Sequence, residues 1–339
     1  MLKSTRILLL LVVVLGIAYY MFSKKPSRTA PKSAEDFAIN DTSEVTKIFM
    51  ANKRGEKILL ERQPDNSWRV NGRFSADEPK IKLLLSTLHD MRIQMPIPPS
   101  MHNTAIAILA SKGIKTEIYA GEKLIKTVYV GSETPDKTGT FMILEGENEP
   151  YIIHIPGFVG FLTPRFFLTE IKWRNKLLFD IPAENIAFVQ VAYPKNDKES
   201  FSYEHSIFQS KGAIQDYSGA LIPADTQQVK MFLHSFTQKF VEGYYEDSVF
   251  TPHERDSLYK TEPWCRMRVK LKTGAEQQIN LYEKPIGDKT KDRYDEQGNE
   301  LSIDPEKFFA KIDDIDQIAS IQEYAFRRVL VKASQLRKK

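Results

Sequence analysis

An uncharged apolar run that begins at Ile7 and ends at Phe22 constrains the chain more than any other segment. It is rich in leucine and valine and has no polar face, so it is not typical of a helix on the surface of a soluble core. A helix of this length spans slightly less than the roughly 30 Å hydrocarbon core of a bilayer. Arg6 and Lys24 flank the run and can extend to the headgroups. The run therefore predicts a transmembrane helix.

Two other interpretations of this run stay open, a cleaved signal peptide and a buried helix of a soluble domain. The small-x-small triplet at residues 16–18 favours cleavage, but the apolar run continues beyond it without a polar region. The one cysteine, Cys265, lies far from the N-terminus, which excludes a lipoprotein anchor. Because short basic N-termini stay inside and long C-terminal domains cross, we predict a single-pass inner-membrane protein whose body faces the periplasm.

The residues after the run are too numerous for one typical hydrophobic core, which indicates two domains. We predict the following division of the chain: a membrane anchor at 1–24, a linker at 25–35, an α+β unit at 36–178, a second at 179–332 and a basic tail at 333–339. The formal net charge is only +4. Part of that charge flanks the anchor or lies in the tail, so the basic surface of a nucleic-acid-binding protein is absent.

The sequence of the body recurs once. The strand pattern at 45–50 returns at 186–191, and the strand at 115–121 is matched with 268–274. Two amphipathic helices also match, and their apolar faces are predicted to be buried: Ile81, Leu84, Leu85 and Leu88 in the first, Val229, Phe232, Leu233 and Phe236 in the second. Landmarks in the same order favour a tandem duplication over chance. The predicted fold class is α+β, an N-terminal transmembrane helix followed by two tandem, duplicated units of mainly antiparallel sheet with helices packed on one face.

The ends of the two copies and two insertions complete this prediction. The segment 173–178 resembles 326–331, which indicates the ends of the two copies. Residues 196–224 and 242–262 are polar and aromatic without a clear period, so we predict insertions that form loops able to meet a partner. The aromatic residues in and beside the second insertion are predicted to form a small satellite core, with carbohydrate or peptide stacking as the alternative: Tyr244, Tyr245, Phe250, His253, Tyr259 and Trp264.

Motifs that carry chemistry are missing from the sequence. No two histidines have the spacing of a helical metal site, and nucleophile elbows and phosphate-binding loops do not occur. His89 and His234 are predicted to be surface residues of the amphipathic helices, and Cys265 a small buried hydrophobe. Residues 131–139 are predicted to be a hairpin connection. Carboxylates are plentiful, but sequence alone brings no two of them to glycosidase distance: Glu44, Asp77, Glu246, Asp247, Asp313, Asp314 and Asp316. We predict no catalytic residues, no cofactor site and no metal ligands.

An ordered set of short segments carries a family resemblance: 37–48, 60–62, 68–72, 82–84, 112–119 and 130–136. Together they resemble bacterial proteins that carry a domain of unknown function, family 4340. The resemblance covers most of the first copy and the second copy loosely. It implies a membrane-anchored envelope protein, and it hints at association with ABC-type export systems. It implies no catalytic residues.

These observations predict a non-enzymatic, membrane-anchored envelope protein that serves as a binding or scaffold accessory of an ABC-type membrane transport complex. Its predicted partners are the lipid bilayer, through the run from Ile7 to Phe22, and membrane transport subunits, with no nucleic acid. The alternative is an envelope hydrolase acting on glycan or peptide, with catalytic carboxylates that the sequence does not identify. The oligomeric state is left open.

Overall fold

The computed structural model describes the following residues: 37–246, 248–287, 290–313 and 315–338. They divide into two compact units, with the division between Asn175 and Lys176. The predicted anchor and linker lie outside the described residues, and none of the described helices is long and apolar enough to cross a membrane. Every strand pair in the described part of the chain is antiparallel, which confirms the predicted α+β architecture with mainly antiparallel sheets.

Unit 1 consists of one sheet and three α-helices in its described residues. The strands are β1 (Lys47–Ala51), β2 (Lys57–Arg62), β3 (Trp68–Val70), β4 (Phe74–Ser75), β5 (Arg92–Pro96), β6 (Ile114–Ala120), β7 (Lys123–Glu133), β8 (Thr140–Leu144) and β9 (Tyr151–His154). The helices are α1 (Glu78–Asp90), α2 (Pro99–Lys112) and α3 (Glu170–Trp173), with 3-10 turns at Thr42–Glu44 and Thr163–Arg165. The strand order is β4-β3-β2-β1-β6-β7-β8-β9-β5.

Unit 2 has a second large sheet and a small two-stranded one. The strands are β10 (Leu177–Phe179), β11 (Ile186–Ala192), β12 (Phe201–Glu204), β13 (Ala213–Asp216), β14 (Leu221–Pro223), β15 (Lys239–Phe240), β16 (Gly243–Tyr244), β17 (Cys265–Leu271), β18 (Glu276–Pro285), β19 (Ile303–Ile312) and β20 (Ala319–Gln322). The helices are α4 (His205–Lys211), α5 (Thr226–His234), α6 (Pro252–Lys260), α7 (Glu323–Phe326) and α8 (Ala333–Leu336), with 3-10 turns at Ala183–Asn185 and Asp197–Glu199. The large sheet has the order β14-β13-β12-β11-β17-β18-β19-β20-β16, while β10 pairs with β15.

The two large sheets have the same strand order when β1 is matched with β11 and β6 with β17. The helices take matching places as well, because α1 and α5 follow the outermost strands β4 and β14. The next helix, α2 or α6, precedes the central strand β6 or β17. Each unit is also closed in the same way, by a hydrogen bond between the N-cap residue of its amphipathic helix and its C-terminal segment. The N–H of Asp77 donates to the carbonyl of Trp173 at 2.7 Å, and the N–H of Asp225 donates to the carbonyl of Leu336 at 2.8 Å.

This closure corrects the predicted ends of the repeat. The segment 173–178 was matched with 326–331, but its first residues take the place that residues 336–338 take in unit 2. The predicted basic tail therefore belongs to unit 2 through residue 338, and Ala333 and Leu336 are buried in its core. The sequence match misled because both segments combine an aromatic or aliphatic residue with basic neighbours.

Helices α1 and α5 form because an aspartate caps each N-terminus and an apolar stripe follows. The side chain of Asp77 accepts from the N–H of Lys80, and that of Asp225 from the N–H groups of Gln227 and Gln228. All but one of the predicted apolar residues are buried, and Leu85 is half-buried: Ile81, Leu84, Leu88, Val229, Phe232, Leu233 and Phe236. Burying each such side chain contributes about 1.5–3 kcal/mol.

Helices cover both faces of each sheet, so the prediction of helices on one face is wrong. Neighbouring residues on a strand point to opposite faces. In β8, Met142 belongs to the main core of unit 1 with α1, while Phe141 belongs to a separate cluster with residues of α2. In unit 2, Phe308 lies in the main core and Phe309 in a separate cluster with residues of α6.

The two predicted insertions are mostly regular structure. Residues 196–224 contain β12, β13 and β14, which complete the sheet, and the short helix α4. Residues 242–262 contain β16 and α6. The predicted satellite core is confirmed for Tyr245, Phe250 and Tyr259, whereas Tyr244 and Trp264 pack against the main core of unit 2. The elements are short and rich in polar residues, so their periodicity was not visible in the sequence.

Candidate functional site

An apolar groove lies on the outer face of the unit 1 sheet, beside α2. Its volume is about 530 Å³. Ile106 and Ala110 on the exposed side of α2 form one wall, together with Leu109. The half-buried side chains of Tyr129 on β7 and Ile143 on β8 form the floor. A concave surface with mostly apolar walls is the usual form of a site that binds apolar groups.

Two glycines let α2 come close to the sheet and so shape the groove. A Cβ atom at Gly131 on β7 would lie 2.8 Å from the carbonyl oxygen of Phe141 and 3.1 Å from Cδ2 of Leu109. Glycine at this position therefore lets Leu109 pack directly on the strand. Gly113 follows the last residue of α2, and its N–H donates to the carbonyl of Leu109 at 3.1 Å.

Two of the polar residues that line the groove, Lys115 and Tyr129, are paired with neighbouring carboxylates, whereas Lys53 is exposed. The Nζ atom of Lys115 lies 2.8 Å from Oε1 of Glu117. This contact raises the pKa of Lys115 and lowers the pKa of Glu117. A hydrogen bond to Glu145 raises the pKa of the Tyr129 hydroxyl. Because Lys115 and Tyr129 are already paired, the groove offers its apolar walls as the available contact surface.

The equivalent position of unit 2 has a polar floor. In unit 1, a row of residues that pair across β6, β7 and β8 contributes to the groove: Lys115, Tyr129 and Ile143. Strand pairing identifies the corresponding row across β17, β18 and β19: Arg266, Asn280 and Lys311. The same strand order with the same register therefore places a tyrosine and an isoleucine in one unit where the other has an asparagine and a lysine.

A groove of about 400 Å³ beside α6 includes part of this polar row. The hydroxyl of Tyr259 and Oδ1 of Asn280 are buried there without a hydrogen-bond partner in the described residues. Burial raises the pKa of Tyr259 to about 12. The Nζ atom of Lys311 lies 4.6 Å from the centre of the Tyr259 ring, which is a cation–π distance. This groove favours polar contacts, in contrast to its counterpart.

Histidine, cysteine and carboxylate side chains do not assemble into a metal site anywhere in the described part of the chain. His89 and His234 are exposed in the last turns of α1 and α5, as predicted. Cys265 is buried, as predicted, and burial raises the pKa of its thiol. Asp247 and Asp314 lie outside the described residues.

The carboxylates with a shifted pKa in the described residues are all shifted downward. Burial raises the pKa of Glu242, but hydrogen bonds from Lys307 and Ser320 outweigh it and hold the pKa below its usual value. Asp136, in the hairpin that connects β7 and β8, has a lowered pKa because the hydroxyls of Thr134 and Thr138 donate to it. The predicted hairpin connection is thereby confirmed. A carboxylic acid that donates a proton to a glycosidic bond needs the opposite shift.

Sequence reasoning missed the residues that form the apolar groove. A signal was present, because residues 128–130 and 141–144 are runs of consecutive apolar or aromatic residues rather than alternating ones. Such runs indicate strands that are covered on both faces. Strand β19 of unit 2 has a run of the same kind at Phe308, Phe309 and Ala310, and it too is covered on both faces.

No protein-family model, no curated protein and no solved structure matches the chain. The resemblance to proteins with the domain of unknown function, family 4340, stays a prediction.

Proposed function

We propose that the protein is a non-enzymatic, membrane-anchored envelope protein that binds and holds a subunit of an ABC-type membrane transport complex. The apolar groove of unit 1 carries this proposal. It combines a volume of about 530 Å³ with apolar walls, and Ile106 in one of these walls is 37% exposed. Large apolar side chains that stay accessible in a recess favour an interaction site over a simple structural role.

The occupant of the groove is an apolar segment of a protein partner. A polar or charged side chain placed on Ile143 and Leu109 would lose its hydration without gaining a hydrogen bond. Of the two lysines that line the groove, Lys115 is already paired with Glu117 and Lys53 is exposed to water, so an anionic ligand would compete with an ion pair or with hydration. An aliphatic or aromatic side chain, in contrast, gains burial against both walls at no such cost.

The remaining parts of the proposal concern the anchor and the origin of the two units. The apolar run from Ile7 to Phe22 tethers the protein to the inner membrane, with the body facing the periplasm. The two units arose by tandem duplication. The same strand order supports this origin, as do the matching closures at Asp77 and Asp225. Tethering holds the groove near membrane transport subunits, which raises their effective concentration.

Affinity purification of the full chain from mild detergent tests this function. We expect the wild type to co-purify membrane subunits of an ABC-type transporter. The Ile143→Lys variant should retain them at least about tenfold less, because an apolar anchor of the interface is lost. The variant should fold, because unit 2 has Lys311 at the equivalent position. Lys311→Ala is the matched control and should behave as the wild type.

Two results would overturn the proposal. In the first, Ile143→Lys retains the transporter subunits as well as the control does. In the second, no membrane transport subunit co-purifies, and the purified chain hydrolyses a glycan or peptide. That second result would establish the hydrolase instead.

A further inference from the structure

A second exposed apolar region lies in unit 2, and its large side chains are more exposed than those that form the groove of unit 1. Leu177 on β10 and Phe240 on β15 are paired across the two-stranded sheet and are 39% and 52% exposed. Phe240 and Tyr324, at the start of α7, line the same open cleft of about 690 Å³. Tyr324 is 82% exposed. We call Leu177, Phe240 and Tyr324, with the cations beside them, the unit 2 patch.

The cations of the unit 2 patch exceed its carboxylates. Lys239, Arg327 and Arg328 line the same cleft as Phe240 and Tyr324. Arg327 pairs with Glu323, and the other carboxylate of the cleft, Glu242, pairs with Lys307 at 2.6 Å. Lys239 and Arg328 make no ion pair within the described residues, so they leave the patch with surplus positive charge.

Hydrogen bonds hold the side chain of Lys239 and the backbone of Arg328 in place. The Nζ atom of Lys239 donates to the carbonyl of Ala325 at 2.8 Å, next to Tyr324. The carbonyl of Arg328 accepts a hydrogen bond from the hydroxyl of Ser235 at 3.0 Å. The patch is therefore a defined arrangement of apolar and basic groups and not a set of unrelated surface residues.

We propose that the unit 2 patch binds the surface of a bilayer that contains anionic phospholipid. Leu177, Phe240 and Tyr324 enter the interfacial region, where aromatic rings with a polar end are favoured. Lys239 and Arg328 bind the lipid phosphates, as basic residues do at anionic membrane surfaces. This inference rests on the proposed membrane tether, which keeps the patch close to a bilayer.

The shape of the patch favours a membrane over a protein partner. Tyr324 protrudes into solvent, whereas hot-spot residues of protein interfaces fill fitted pockets. A protruding aromatic ring enters a fluid interface without a complementary pocket, and an amphipathic surface with basic flanks is the usual form of interfacial binding. The large apolar residues of the unit 1 groove are less exposed, with Ile106 at 37%, which is why that groove is assigned to a protein segment.

Site-specific fluorescence on the full chain tests the inference. The native Cys265 is buried, so a cysteine introduced at the surface can be labelled selectively with an environment-sensitive probe. Tyr324→Cys and Phe240→Cys report on the patch. Tyr217→Cys is the matched control, because Tyr217 is 60% exposed and lies between β13 and β14. These strands are at the opposite edge of the large sheet from β20, which Tyr324 follows.

We expect labels at 324 and 240 to shift their emission to the blue in vesicles with phosphatidylglycerol and to be quenched by brominated acyl chains. The label at 217 should not respond. Arg328→Ala should weaken the response about fivefold, and raised salt should weaken it as well. Inorganic phosphate without vesicles should have no effect, which separates a lipid surface from a free anion.

Three results would overturn the inference. The labels at 324 and 240 do not respond to phosphatidylglycerol vesicles, they respond equally to neutral phosphatidylcholine, or they respond only to co-purified transport subunits. Retention of the unlabelled chain in the vesicles after an alkaline wash measures the tether separately. Release in that wash contradicts the membrane anchor, while the label response measured before the wash still decides the patch.

Discussion

The groove beside α2 and its counterpart beside α6 occupy the same place in two sheets of the same strand order, yet their chemistry differs. The row that contributes to the first contains Tyr129 and Ile143, and the equivalent row of unit 2 contains Asn280 and Lys311. The inward-facing positions, in contrast, are mostly apolar in both units, with Thr116 on β6 as an exception. The inner face of each sheet therefore specifies the fold, and the outer face is free to differ between the two units.

This difference assigns separate roles to the two units. Unit 1 has the apolar groove on its outer face, and we propose that this groove binds a protein partner. Unit 2 keeps polar groups there and presents its exposed apolar residues elsewhere, at Leu177, Phe240 and Tyr324. A common fold therefore gives no reason to expect a common function, because function depends on the residues of each site.

The largest effects are expected from the face that the two units share. Leu84→Ala and Phe232→Ala each remove a fully buried side chain from a matching helix, and each should lower the free energy of unfolding by about 2–5 kcal/mol. Chemical denaturation of each variant measures the loss. The neighbouring exposed residues Leu83 and Met231 provide the control, since truncation there should cost far less. Equal losses of unfolding free energy at exposed and buried positions would contradict the matching cores of the two units.

A smaller effect is expected where α2 approaches the sheet. Gly131→Ala should lower the free energy of unfolding by about 1–3 kcal/mol, because the new methyl group collides with the Phe141 carbonyl and crowds Leu109. Gly287→Ala in unit 2 is a control, since a Cβ atom there meets nothing within 4 Å. Denaturant titration compares the two. An unchanged stability for Gly131→Ala would mean that α2 does not pack on the sheet as described.

Acid should weaken unit 2 through a buried ion pair. Burial raises the pKa of Asp304, but hydrogen bonds from Lys284 and from the N–H of Glu306 outweigh it and hold the pKa below its usual value. A lowered pKa in the folded state stabilises the protein above the unfolded-state pKa of about 4, and this stability is lost as the pH falls through the folded-state value. Asp304→Asn should therefore flatten the pH dependence of stability below about pH 4.

The comparable pair of unit 1 provides the reference for this pH effect. Lys115 and Glu117 lie closer to solvent, with side chains 39% and 18% exposed against 18% and 2% for Lys284 and Asp304. Glu117→Gln should change the pH dependence less than Asp304→Asn, because solvent screens exposed pairs. Unfolding monitored between about pH 2 and 6 shows which variant changes the pH dependence of stability more. A larger change in Glu117→Gln than in Asp304→Asn would contradict this expectation.

The smallest effect is expected at the polar groove of unit 2. Tyr259→Phe removes a buried hydroxyl without a partner in the described residues, so the free energy of unfolding should change by less than about 0.5 kcal/mol. Tyr193→Phe is the matched variant in the same unit. Its hydroxyl donates to the carbonyl of Val331 at 3.1 Å, and its loss should cost about 0.5–1.5 kcal/mol. If Tyr259→Phe lowered the free energy of unfolding more than Tyr193→Phe, the hydroxyl of Tyr259 would have a hydrogen-bond partner after all.

The sequence predicted the elements with strong periodicity. The apolar stripes of α1 and α5 lie where expected, and so do the long central strands, because each combines a clear period with a capping or turn signal. The strands at 201–204 and 213–216 were missed. They contain four residues each, and α4 separates them, so neither is long enough to show a period.

The sequence did not show which residues of the two grooves are equivalent, and the reason is different. Matching the segments 115–121 and 268–274 by their final glycines equates Ile118 with Leu271. Strand pairing instead places Ile118 beside Ile48, and Val269 beside the equivalent Val189. The turn after β17 is longer than the turn after β6, which shifts the match by two residues. Residues such as Tyr129 and Asn280 become equivalent only when the pairing register is known.

The central claim is that the groove of unit 1, and not its counterpart, binds a protein partner. Photo-crosslinking in living cells tests it directly, with a photoreactive phenylalanine at position 143 or at position 311 of the full chain. We expect a crosslink from 143 to a membrane subunit of an ABC-type transporter, identified by mass spectrometry, and none from 311. Equal crosslinking from both positions, or a crosslink from 311 alone, would contradict it.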